Sequence, residues 1–181
     1  MEELIDVLDE NGVKTGEVLP RSEIHKKGLW HRVIAVAIVN EKNQILLQQR
    51  AYNKDKNAGM WDISVAGHIG TGQDALSAAS REINEEVSIN LGYKIDIKEF
   101  RYMFSYRTEA KVNENYMDRQ FYDFFILRQN GLKLKEIKVQ ESEVEQVKFV
   151  DISELNTMIE NKEIVERDPI YKELISYLFR V

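Results

Sequence analysis

The stretch Gly67-His68-Ile69-Gly70-Thr71-Gly72-Gln73-Asp74-Ala75-Leu76-Ser77-Ala78-Ala79-Ser80-Arg81-Glu82-Ile83-Asn84-Glu85-Glu86-Val87-Ser88-Ile89 decides how the rest of the chain is read. It opens with three glycines, Gly67, Gly70 and Gly72, at the density of a tight backbone turn. From Asp74 the spacing becomes helical, with Ala75, Leu76, Ala79, Ile83 and Val87 on one stripe and Gly92 beyond as a stop. Glu82, Glu85 and Glu86 stand at i, i+3 and i+4 and share a face beside that stripe. Three like charges this close repel one another. Two arrangements relieve them: a solvated acidic face with Arg81 as partner, or a hard divalent cation such as Mg²⁺ or Mn²⁺ held on oxygen. The glycine turn ahead of the helix favours the cation, because its backbone N–H groups can approach phosphate.

Working outward, Leu4–Leu8 and Val13–Leu19 flank Asp9-Glu10-Asn11-Gly12, a hairpin signal at the N-terminal edge. Val33 to Val39 is an apolar run rich in β-branched residues. It reads as a buried strand, with Ile45-Leu46-Leu47 as its partner across a turn. Residues 53–59 read as a polar loop, and Trp61 to Ala66 as a return to the sheet. Phe100–Tyr106, Phe121–Leu127 and Val147–Val150 read as further strands. Two helices close the chain, one opened by Ser153 and one by the Asp168-Pro169 pair. Strands, helix, strands, helices is the order of an α/β fold with a mixed sheet and helices on its faces. No linker or repeat interrupts it, so one domain over 1–181 is expected, with 1–28 as hairpin and lead-in.

Composition narrows the chemistry. The 181 residues contain no Cys, which removes disulfides, thiolate metal sites and a cysteine nucleophile. A net charge of −6 disfavours nucleic-acid polymers and anionic membranes as partners. The longest apolar run is seven residues, far below the roughly 20 that span a bilayer, and the first residues are acidic where a signal peptide is basic. A cytoplasmic protein is expected.

The quoted stretch resembles the Nudix box, Gly-x5-Glu-x7-Arg-Glu-U-x-Glu-Glu-x-Gly-U with U apolar, and matches seven of its nine defining positions. Gln73 stands where the family has Glu, and Ser88 where it has Gly. The resemblance implies an α/β/α sandwich around a mixed β-sheet and Mg²⁺- or Mn²⁺-dependent hydrolysis of a small diphosphate. It implies Glu82, Glu85 and Glu86 as metal ligands, the Gly67 carbonyl as a further one, and Arg81 as the residue that orients the glutamates. Gln73, as an outer ligand, contributes no charge and predicts weaker metal binding. Ser88 replaces a glycine at the helix exit, which Gly92 then moves later. The general base is expected from the acidic stretch before Val147, with Glu143 or Glu145 as candidates. Arg50, Lys54, Lys56 and His68 are expected at the substrate phosphates, and a homodimer is left open.

A narrower resemblance, over about residues 20 to 128, is to the Nudix proteins near type 1 isopentenyl-diphosphate isomerase. It rests on Leu29-Trp30-His31-Arg32-Val33, Leu46-Leu47-Gln48-Gln49-Arg50 and Met60 through His68. It implies a second metal site from His25, His31, His68 and Glu114. The isomerase's cysteine position is Ala66, and its second glutamate position is Tyr116. Allylic proton transfer needs a matched acid and base. Ala66 offers neither, so hydrolysis is expected, with isomerase-like chemistry and a weakly active nucleotide- or metabolite-binding sensor as the rivals.

Overall fold

Val33 to Val39 is buried at every position and has no face to give to water, so it must be covered on both edges and both faces. The computed structural model describes residues 2–54, 56–89, 97–114 and 116–180, and it meets that demand with a mixed sheet between helices. In chain order, β1 (Leu4–Leu8) and β2 (Lys14–Pro20) form the expected hairpin. The Asp9 carboxylate ties its turn by accepting from the Asn11 and Val13 N–H groups, both at 2.9 Å. A short helix with no counterpart in the sequence pattern follows, α1 (Arg21–Lys27), stopped by Gly28 in the left-handed region at φ 62°.

The central strand is β3 (Trp30–Val39), followed by β4 (Ile45–Arg50), β5 (Trp61–Ile63) and β6 (Val65–His68). The box helix is α2 (Ala75–Glu86) and runs into β7 (Val87–Ile89). Then come β8 (Phe100–Asn113), β9 (Tyr116–Arg128), β10 (Ile137–Val139), β11 (Val144–Val150), α3 (Ile152–Glu160) and α4 (Ile170–Phe179). Among the described residues nine strands form one sheet, and β7 and β10 form a small second one.

One edge of β3 is taken by β9, parallel, from Trp30↔Arg119 to Val39↔Arg128. The other edge is shared. β6 pairs with Val33 to Val36, and β4 meets β3 only at Val39↔Ile45 before turning to pair with β11 and β5. The expected β3–β4 hairpin is therefore a fork, opened because β6 occupies the edge that β4 would need. Buried Ser64 bridges its crotch, its hydroxyl accepting from Ile38 N–H at 2.8 Å and donating to the Leu46 carbonyl.

Strand alternation divides β3 between two cores. Ile34, Val36 and Ile38 pack with Ala78, Ala79 and Ile83 of α2. Ala35, Ala37 and Val39 pack with Leu155 and Met158 of α3 and Leu174 and Leu178 of α4. The layers are helix, sheet, helix. Among the described residues no helix is long and apolar enough to cross a membrane.

Several boundaries differ from expectation. The box helix ends at Glu86, because Val87 leaves helical geometry and pairs with Val139; its exit is not carried on to Gly92, which lies outside the described residues. Asp151 caps α3, accepting from Glu154 N–H at 2.8 Å, where Ser153 was expected. Asp168 does not cap α4. Pro169 sits at the N-cap position, and the Asp168 carboxylate accepts from Lys172 Nζ at 2.6 Å instead. The last sheet strand begins at Val144, so Glu145 lies on it, at a bulge, and not in a preceding loop.

Candidate functional site

The glycine turn and α2 meet face to face. A Cβ built on Gly67 would fall inside the Glu82 carboxylate, so the bare backbone at 67 is the cradle in which Glu82 lies. Arg81 fixes the group: its NH2 is 3.0 Å from Glu82 Oε1 and donates to the His68 carbonyl at 3.0 Å, while NH1 donates to Glu85 Oε2 at 3.0 Å. Glu3 of the N-terminal segment is a further partner at 3.4 Å. Glu86 accepts from Gln48 Nε2 at 3.0 Å. Burial, reinforced by Glu85 and Glu3 and opposed by Arg81, pushes the Glu82 carboxyl up to about 7. Burial, then Glu82, pushes Glu86 up to about 8, with Glu143 and Asp62 adding to the rise. Carboxylates packed until they resist ionising, with oxygen donors only, fit a hard divalent cation such as Mg²⁺ or Mn²⁺. Gln73 is not brought to this group. Its Oε1 accepts from Gly70 N–H at 3.2 Å and braces the turn.

The loop after β4 supplies cations. Arg50 Nε donates to the Lys56 carbonyl at 3.2 Å, and its NH1 lies 3.6 Å from Asp62. Lys54 Nζ donates to Glu143 at 2.5 Å. Glu143 is near enough to raise Glu86, whereas Glu145 is exposed on β11. Lys56 reaches the other way, donating to Asp118 of β9 at 2.9 Å. Asp62 is 1% exposed and is gripped at both oxygens by Arg167, at 2.5 and 2.8 Å; Arg167 also donates to the Tyr122 hydroxyl at 3.0 Å. This pair was absent from the sequence reading, since nothing local links positions 105 residues apart.

On the opposite side of β6 lie the three histidines. His25 from α1, His31 from β3 and His68 from β6 bring one ring nitrogen each within 4.8 Å of one another. His31 Nδ1 donates to the Leu29 carbonyl at 3.1 Å, and its Nε2 accepts from Gln120 Nε2 at 3.4 Å. Both ring nitrogens of His25, Nε2 of His68 and Oδ1 of Asp118 are buried with no hydrogen-bond partner. Burial holds all three imidazoles below their ordinary value, His25 at about 4 with the nearby His31 adding to the fall. Unpartnered nitrogens on His25 and His68, beside a His31 that is hydrogen-bonded at both nitrogens, are of the donor type that suits a transition-metal ion. Glu114 is not among them: it sits in the exposed turn between β8 and β9. Tyr116 stacks on His25 at 4.4 Å. The available signal was the alternation Tyr116, Asp118, Gln120, Tyr122, a polar row on a strand that ends deep in the core.

Comparison with known proteins adds the family. A model described as "NUDIX domain" matches residues 29–174. "Nudix hydrolase 3" of Arabidopsis thaliana is 36% identical over 173 residues, 94% of this chain; the chain spans 21% of that protein's length. "Isopentenyl-diphosphate Delta-isomerase 2" of Photorhabdus laumondii is 29% identical over 161 residues, covering 89% of this chain and 84% of that one. A solved structure from Deinococcus radiodurans superposes with a TM-score of 0.71 at 19% identity, covering 98% of this chain and 100% of the other, a likeness of fold.

Proposed function

This chain belongs to the Nudix family, and from that premise we propose that it hydrolyses a small phosphoanhydride, a nucleoside diphosphate linked to a second moiety, by water attack at phosphorus. The carrying observation is the carboxylate group of Glu82, Glu85 and Glu86, gathered by Arg81 against the bare backbone of Gly67. These glutamates, with the Gly67 carbonyl, would hold Mg²⁺ or Mn²⁺. When bound, such an ion supplies charge neutralisation at phosphate oxygens and a more acidic water.

The chain's own groups do the rest. Arg81 keeps Glu82 and Glu85 from swinging apart. Arg50 and Lys54 carry positive charge over the same end of the sheet, where the substrate's outer phosphate is to be neutralised. Glu143, beside Glu86, accepts the proton of the attacking water once Lys54 turns to phosphate. Gln73, turned into the loop, adds no charge to the cation site. The partner in this reaction is a small molecule.

The histidine cluster is what favours the isomerase-like reading, and Ala66, with no proton to exchange, argues against it. One screen separates the readings: nucleoside diphosphate compounds, dinucleoside polyphosphates and prenyl diphosphates, each with Mg²⁺ or Mn²⁺, followed for released phosphates and for isomerised prenyl product. Cation-dependent phosphate release from the first two classes is the expected result. Isomerised prenyl product supports the rival, and binding without turnover of any class overturns the hydrolase in favour of a sensor.

A further inference from the structure

We propose that Glu3, just ahead of the body of β1, is the positioning residue for Arg81, and that its carboxylate gives the cation site the negative charge that Gln73 does not. The proposal deepens the hydrolase reading and rests on its glutamate cation site.

Three carboxylates surround the Arg81 guanidinium, and one of them is not on its helix. Glu82 and Glu85 come from α2 itself, at 3.0 Å each. Glu3 comes from 78 residues away, and its Oε1 lies 3.4 Å from the same NH2 that meets Glu82 Oε1 and donates to the His68 carbonyl. That nitrogen is shared between a group inside the cation site and one outside it. Positive charge drawn toward Glu3 is less fully spent on Glu82, whose oxygen stays available to a cation. Without Glu3, the guanidinium settles on Glu82 and Glu85 and competes with the ion for them. Both side chains are half-buried, at 32% and 28% exposure, where a charge pair is screened less than at the open surface.

The approach of Glu3 is built into the backbone. The Leu4 carbonyl accepts from Thr71 N–H at 2.8 Å, and Ile5 forms an antiparallel bridge with Gly70. On the other side, the Glu3 carbonyl accepts from Arg21 N–H at 3.0 Å, at the start of α1. Farther along β1, the Asp6 carboxylate accepts from the Thr71 hydroxyl at 2.8 Å. With its backbone held between the glycine turn and α1, Glu3 has only side-chain freedom to lose on meeting Arg81.

Gly70 brings Glu3 and Gln73 to one place. A Cβ built there would lie 3.1 Å from Gln73 Oε1 and 3.7 Å from Glu3 Oε1. Gln73 is neutral, and its oxygen is occupied by Gly70 N–H at 3.2 Å. Of the two, Glu3 alone brings negative charge. A carboxylate at 73 would keep the Gly70 bond and carry charge to the same turn, so a charge lost at 3 is replaceable at 73.

The test uses the full chain, stripped of metal and titrated with Mn²⁺ under electron paramagnetic resonance; the equivalent that Glu85→Gln removes is the glutamate site. Glu3→Gln, which preserves size, is expected to weaken that equivalent by about tenfold, while Glu2→Gln in the same segment leaves it unchanged. Adding Gln73→Glu to Glu3→Gln restores most of the lost affinity. In the wild type Gln73→Glu gains less, because two carboxylates then crowd Gly70. Thermal melts identify any variant that fails to fold; where Glu3→Gln does, Glu3→Asp, which keeps the charge and shortens the reach, takes its place with a smaller loss of the same sign. Unchanged affinity in the Glu3 variant overturns the proposal and leaves the glutamate site standing. An equal loss in Glu2→Gln, or no recovery with Gln73→Glu, overturns the charge role and leaves a segment that serves folding alone. If Glu85→Gln removes no Mn²⁺ equivalent, the glutamate site itself falls, and the proposal with it.

Discussion

The Glu82 carboxylate occupies the space that a side chain at position 67 would need. Glu82 Oε1, Cδ and Cγ all fall within overlap of a Cβ there, so even a methyl group must displace the buried carboxylate from its place beside Arg81. Gly67→Ala is expected to cost about 1–3 kcal/mol in folding stability by overpacking. It should also remove most cation-dependent turnover, because Glu82 loses its position. Urea denaturation and turnover under saturating Mg²⁺ check the two effects separately.

Glu85→Gln and Glu86→Gln should each lower kcat by about two orders of magnitude, the scale of removing one preorganised charge-stabilising group. Without cation both variants should melt at or above the wild-type temperature, since each relieves repulsion among packed carboxylates. Wild-type turnover in both would sink the metal assignment.

Glu143 and Glu145 are distinguishable by position. Glu143 lies near Glu86 and bonds Lys54, while Glu145 projects to solvent from the β11 bulge. Glu143→Gln is expected to reduce kcat by about 10²–10⁴ with little change in KM, the range for loss of a general base. Glu145→Gln should leave kcat intact, as steady-state rates of the two variants side by side will show.

The carboxylates and histidines bend metal-free stability in opposite directions. Glu82 and Glu86, raised to about 7 and about 8, keep protons that the unfolded chain releases near its ordinary carboxylate value. Their contribution is whole below the unfolded value and is lost as pH rises through 7 and 8. His25, lowered to about 4, refuses a proton that the unfolded chain accepts; its contribution is whole above the ordinary histidine value and is lost as pH falls toward 4. Thermal melts of metal-free protein should therefore decline on both sides of weakly acidic pH. The gain in melting temperature on adding Mg²⁺ should be larger at pH 8 than at pH 5.5.

Arg167 and Asp62 form a two-pronged pair in the core, with Asp62 1% exposed. Arg167→Leu leaves the aspartate buried and poorly compensated, and is expected to cost about 3–5 kcal/mol. The double variant Asp62→Asn/Arg167→Leu should cost less than the sum of the single changes in a denaturant series. Arg50 also leans on Asp62, so KM for an anionic substrate should rise in Arg167→Leu at unchanged cation dependence.

The sequence carried whatever is encoded over short distances. The α2 stripe, the Asn11-Gly12 turn and the inward run of β3 are all local patterns, and each has its expected place. The pairing of β3 with β9 is parallel and spans about ninety residues, so it leaves no periodic trace near either strand. The β3–β4 fork escaped for the same reason, because the competing strand arrives later in the chain. At the site, Arg81 and the glutamates were legible because their spacing is helical. Asp118 and Arg167 were not, and Lys56 was expected at phosphate rather than at Asp118, since each acquires its meaning from a partner on another element. The α1 helix, which delivers His25, is only seven residues long and too short to declare itself by period.

Consecutive residues of β6 face opposite worlds. Gly67 opens toward acidic oxygens on the α2 side, and His68 points into imidazoles on the other. The backbone between them is a partition one strand thick, and it sorts ligand atoms by hardness with no further wall. An insertion or deletion of one residue in β6 would turn His68 away from His25 and His31 and put a side chain where Glu82 lies, so both clusters would be lost by one change.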